Sequence, residues 1–150
     1  MRHRFALAVL ATVVLPPALR AQAPALAWGP APAVFAPGAK MAVLQGDPSK
    51  SALYTVRLDM PDGYRIAPHW HPIDELVTVI SGTFVVGLGD SVNTAREMTL
   101  AAGAYVIATA NMHHYAIARG HTIVQVHGMG PFALTYVNLK DAPPTAPHTR

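Results

Sequence analysis

From residue 53 onward the chain alternates short apolar runs with clusters of turn residues. The runs fall at 53–60, 64–70, 75–80, 83–88, 97–100, 105–108, 114–118, 122–127 and 132–137, and glycine, proline, asparagine or aspartate separates them. Runs of four to eight residues, rich in Val, Ile, Thr, Tyr and Phe, are the length of strands, and no stretch beyond residue 22 sustains a helical period. The pattern predicts an all-β fold, an antiparallel sandwich or barrel. Ahead of it, residues 46–50 ("GDPSK") read as a turn. Residues 22–43 are rich in alanine and proline and read as an extended arm, with Trp28, Val34 and Phe35 as anchors, because proline sustains neither a helix nor a central ladder. Residues 44–139 form the expected domain, and 140–150 ("KDAPPTAPHTR") a polar, proline-rich tail.

The first residues have a different character. Arg2 and Arg4 precede an apolar run over 5–15, followed by Pro16, Pro17 and small residues, which is the layout of a secretory signal. The run is shorter than the ~20 residues a bilayer span requires, so no stable membrane insertion is expected after processing. Cleavage after Ala21 gives a signal of 1–21, and cleavage after Ala27 is the later choice; a cut after Ala23 would place Pro24 next to the scissile bond. The expected destination is the periplasm or the exterior.

Removal of that segment alters the charge balance. The full chain holds 11 Lys and Arg against 8 Asp and Glu. Arg2, Arg4 and Arg20 leave with the signal, so the mature chain is near neutral and offers no electrostatic case for nucleic acid. The sequence holds 0 cysteines, which excludes thiol nucleophiles and thiolate ligands.

Candidate chemistry concentrates in "GYRIAPHWHPIDELVTVISG", residues 63–82. On a strand, positions i and i+2 share a face, so His69 and His71 project together and Trp70 points away. Pro72 and Asp74 make a turn, and antiparallel pairing of the next run would return Glu75 beside the histidines, with Val77 and Val79 on its face. Two imidazoles and a carboxylate against an apolar wall suit a bound ion.

Gly63, His69, His71, Glu75 and Gly82 match every fixed position of G-x5-H-x-H-x3-E-x6-G, the first motif of the cupin superfamily, and the chain resembles a small single-domain bacterial cupin over residues 44–137. The second motif, G-x5-P-x-G-x2-H-x3-N, is met at Gly103 and His114, while Thr109, Asn111 and Ala118 depart from it. Asn111 is a mild departure, because asparagine tolerates a positive φ. The resemblance implies a jelly-roll β-barrel of antiparallel strands enclosing one divalent transition metal (Fe, Mn, Ni, Zn, Co or Cu), with His69, His71, Glu75 and His114 as ligands. Alternation alone favours His113 instead, since Tyr115 and Ile117 share its face; the motif spacing selects His114.

Three imidazoles and a carboxylate leave one or two positions open on a five- or six-coordinate ion, so a small-molecule substrate can chelate it. The resemblance implies a dioxygenase-like oxidoreductase acting on a phenolic or enediol-like substrate; a non-catalytic ligand-binding or sensor cupin is the alternative, and an isomerase or lyase a further one. Val77, Val79, Phe84, Ile107 and Met112 are candidates for the apolar wall, and Glu75 or His127 for proton transfer. His127 and Gln125 share one face of "TIVQVHGMG", and Thr55 and Arg57 one face of "LYTVRLDM"; the sequence leaves open whether these faces are the inner ones. Family analogy implies a homodimer.

Overall fold

In the computed structural model, residues 25–144 are described; the expected signal (1–21) and the last six residues of the expected tail lie outside them. Among the described residues nine strands follow in order: β1 (Gly29–Pro30), β2 (Lys40–Gln45), β3 (Leu53–Met60), β4 (Arg65–Trp70), β5 (Glu75–Leu88), β6 (Glu97–Ala101), β7 (Tyr105–Ala108), β8 (His114–Met129) and β9 (Thr135–Tyr136). Every pairing is antiparallel. Among the described residues no helix is long and apolar enough to cross a membrane.

Two long strands organise the fold. The runs predicted at 75–80 and 83–88 are one strand, β5, and those at 114–118 and 122–127 are one strand, β8. The two pair along their length, from Leu76 opposite His127 to Leu88 opposite His114, with register slips between Val79 and Thr83. There the pair bends and passes from one sheet to the other. The C-terminal part of β8 pairs with β3, and β3 with β2; its N-terminal part pairs with β4, and β4 with β9. β7 edges the first half of β5 and β6 the second. The result is the cupin-type jelly roll, two curled sheets sharing β5 and β8.

The bend depends on Gly82, whose φ is +78° and whose missing Cβ leaves room for the backbone of His121 and Thr122. Thr122, fully buried, repairs the ladder: its hydroxyl accepts from Thr83 N–H at 3.2 Å and lies 3.1 Å from the Thr83 carbonyl, to which it can donate.

Strand alternation sets the interior. Tyr54, Val56, Leu58 and Met60 of β3, Val77 and Val79 of β5, and Val124 and Val126 of β8 are buried from one sheet; Ile66, Phe84, Val86, Ala116 and Ala118 are buried from the other. Pro32, Phe35 and Met41, from the segment before residue 44, line the same interior. The Tyr136 hydroxyl donates to the Val34 carbonyl (2.9 Å) and the Tyr64 hydroxyl to the Ala36 carbonyl (2.6 Å), which fastens that segment to the barrel.

Candidate functional site

Three imidazoles converge inside the barrel. His69 comes from β4, His71 from just beyond its end, and His114 opens β8 opposite His69. One ring nitrogen of each lies within 4.8 Å of those of the others. A slip in the β4–β8 ladder makes this arrangement: Ile66 pairs with Ala116 and His69 with His114, so three residue steps on β4 oppose two on β8. Such a bulge resets the two-residue alternation, allowing Ile66 and His69 both to face inward.

Each imidazole is oriented through its other nitrogen. Nδ1 of His69 bonds the Ala67 carbonyl (2.7 Å), Nδ1 of His71 the Ala133 carbonyl (2.8 Å), and Nδ1 of His114 the Met112 carbonyl (2.9 Å). A carbonyl oxygen only accepts, so each Nδ1 carries the proton and each Nε2 keeps a free lone pair. Burial lowers the pKa of all three below the usual imidazole range; for His69, which falls furthest, the proximity of His114 and His71 adds to it. The rings are therefore neutral donors near pH 7.

Glu75 lies beside this three-histidine group, next to His71, and not within it. Its Oε2 lies 3.3 Å from Nε2 of His71, and the Tyr54 hydroxyl donates to its Oε1 at 3.4 Å. Burial pushes the Glu75 carboxyl up to about 7, and the Tyr54 hydrogen bond pulls the other way. The carboxylate does not arrive by pairing of β4 with β5, as the sequence suggested. Those strands have no shared ladder; Glu75 pairs with Ala108 of β7.

The turn before His114 is clipped to the loop that carries His71. Asn111 N–H donates to the His71 carbonyl (2.7 Å) and Ala110 N–H to Asp74 Oδ1 (2.7 Å). Asn111 takes φ +62°, the left-handed conformation for which glycine would otherwise serve. His113 points outward onto Asp90 Oδ1 at 2.6 Å. Burial of Tyr115 outside the cavity explains why alternation pointed to His113: its ring fills the space above Gly87, where a Cβ would overlap it, and its hydroxyl bonds Glu97 Oε1 at 3.2 Å.

His127 is a correction to the sequence reading. Val124 and Val126 line the cavity, so Ile123, Gln125 and His127 lie on the opposite face of β8. There Arg57 Nε donates to Gln125 Oε1, the Gln125 amide nitrogen meets His127 Nε2, and His127 Nδ1 meets Thr55 Oγ1, each at 3.0 Å. His127 thus belongs to an outer-face network, with Thr55, Arg57 and Gln125, and cannot take a proton from a molecule inside the barrel.

Residues 56–129 match the cupin domain family. The chain carries a cupin domain. No curated protein matches the sequence. Solved structures share the fold: a candidate acetylacetone dioxygenase from Methylibium petroleiphilum PM1 (23% identity, TM-score 0.60, covering 79% of each chain); the polyketide cyclase RemF from Streptomyces resistomycificus (15%, 0.58, covering 70% of this chain and 75% of that one); and an RmlC-like cupin from Shewanella frigidimarina NCIMB 400 (22%, 0.52, covering 61% and 76%). At these identities the likeness concerns the fold.

The histidines of this cupin lie in the wall of a cavity of about 270 Å³ between the two sheets. The five residues expected to form its apolar wall, Val77, Val79, Phe84, Ile107 and Met112, divide: Val77, Phe84, Ile107 and Met112 line the cavity, while Val79 is buried beside them in the core. Among the described residues lining the cavity, only Tyr54, His69, His71, Glu75 and His114 have polar side chains.

Proposed function

We propose that this cupin holds one divalent transition ion on His69, His71 and His114, with Glu75 as fourth donor, and uses it to turn over a small chelating substrate as a dioxygenase-like oxidoreductase. The three Nδ1–carbonyl bonds carry the reading. They commit one nitrogen of each ring to the backbone and leave three lone pairs at the wall of an apolar cavity, and such bonds to the far nitrogen are what orient an imidazole toward a metal. The donors also fit chemically, being three neutral nitrogens and one carboxyl that ionises near neutrality.

When bound, the ion would supply Lewis acidity and, for a redox-active metal, electron transfer. The protein's own part is positional. Glu75 receives the proton that a phenol or enediol gives up on chelation, Tyr54 orients the carboxyl through Oε1, and the valine and methionine wall keeps bulk water away. The fold shared with a candidate acetylacetone dioxygenase agrees with this form of the reading.

Protein reconstituted with Fe(II), Mn(II), Ni(II), Co(II), Cu(II) or Zn(II) and offered catechols, small enediols and 1,3-diketones in an oxygen electrode tests the proposal. Oxygen uptake with a redox-active metal, lost in Glu75→Gln, is the expected result. Ligand binding without uptake for any metal would sink the oxygenase reading and leave a sensor.

Metal uptake should depend on pH with a defined sign. The histidines bind as they stand, whereas Glu75 must lose its proton, so affinity should rise about tenfold per pH unit below a carboxyl pKa of about 7 and level off above it. Calorimetry in buffers of different ionisation enthalpy should find more proton released per ion at pH 6 than at pH 8. Equal release at both would remove Glu75 from the ligand set.

A further inference from the structure

We infer, resting on the metal-chelation reading above, that the ligand is an apolar molecule of about ten non-hydrogen atoms with a single bidentate head, its tail running from the histidines to an apolar rim at Leu88, Met98, Ile107 and Met112. The size follows from the cavity: a space of ~150 Å³ holds one benzene, so about 270 Å³ holds roughly twice that, one substituted ring or a chain of about eight carbons.

The polarity follows from the lining. Every polar side chain there, among the described residues, belongs to the metal-binding histidines, to Glu75 or to Tyr54, which is already committed to Glu75. A sugar or polyol would bury hydroxyls with no further side-chain partner. A second anionic group would find no lysine or arginine in the described lining.

The rim follows from side chains that both line the cavity and meet solvent: Ile107 (47% exposed), Met98 (42%), Leu88 (40%) and Met112 (39%). Leu88 continues the inward series Phe84, Val86 on β5, and Met98 pairs with Val86, so both belong to the inner face where it runs out to water. Exposed apolar side chains at the mouth of a pocket extend its apolar surface outward, and thioethers adapt to varied shapes.

A series of linear hydroxamic acids, from acetohydroxamic to decanohydroxamic acid, titrated into the Co(II)-loaded protein and followed by the cobalt absorption bands, tests this. The dissociation constant should fall about fourfold per methylene up to about eight carbons and then level as the chain emerges. Met98→Ser should weaken the eight-carbon compound about fivefold and leave acetohydroxamate unchanged, which also certifies the folded site in that variant. A flat chain-length series with acetohydroxamate still bound would overturn this inference and leave the metal site standing. Failure of the protein to take up Co(II) would overturn both.

Discussion

Replacing His114 with alanine should weaken binding of Co(II) or Zn(II) by more than about 100-fold, while His113→Ala should change it less than about twofold. Partners that merely orient a ligand are worth about 10–100-fold in metal affinity, so loss of a direct donor should exceed that. His114 supplies one of three nitrogens within 4.8 Å of one another, and removing it leaves two imidazoles and a carboxyl that must share the ion with water. Its neighbour cannot substitute. His113 faces Asp90 on the outside at 2.6 Å, and successive strand side chains cannot occupy one face. Competition against a chromophoric chelator measures both variants, and equal loss would refute the assignment of His114. Wild-type circular dichroism is expected for both, because the His69–His114 backbone pairing remains.

Gly82→Ala should strongly destabilise the barrel. An alanine there must hold φ near +78°, at about 1–2 kcal/mol, and its Cβ would overlap the His121 carbonyl oxygen and lie 2.8 Å from Thr122 Cα. Both opposing atoms are backbone, so relief requires parting β5 from β8 at the bend their pairing creates. Such overpacking costs a further ~1–3 kcal/mol, for a total of about 2–5 kcal/mol. In a domain of this size the melting temperature should fall by roughly 10–20 °C. Gly63→Ala is the control: its φ is +74° but no atom lies within 4 Å of the added methyl, so only the conformational cost applies. Equal losses in the two variants would show that the bend is not closely packed.

Much of this was legible because it is local. The strands 53–60 and 105–108 stand where alternation placed them, the His-x-His pair shares one face, and the spacing from Gly103 selected His114 against the alternation cue of Tyr115 and Ile117. That cue misled because Tyr115 is buried outside the cavity, in a space that exists only because Gly87 lies beneath it, and nothing adjacent in sequence announces that. The strand Lys40–Gln45 escaped the strand reading for a similar reason. Its apolar run, Met41 to Leu44, is short and adjoins the proline-rich arm, and its strand state comes from the ladder to β3.

By itself the sequence determined the strand periodicity and the pairing of His69 with His71, because each is set by neighbours within a few residues. Tertiary structure alone decided which face of each strand is inner. Alternation is a parity, and parity has no sign until another sheet packs against one side; packing put Val124 and Val126 inside and His127 outside. It also decided the bulge that turns both Ile66 and His69 inward, the Ala133 carbonyl that orients His71 from 62 residues away, and the volume of the cavity. Each of these depends on the register between distant segments, and a register shift of one residue reverses every side chain it governs.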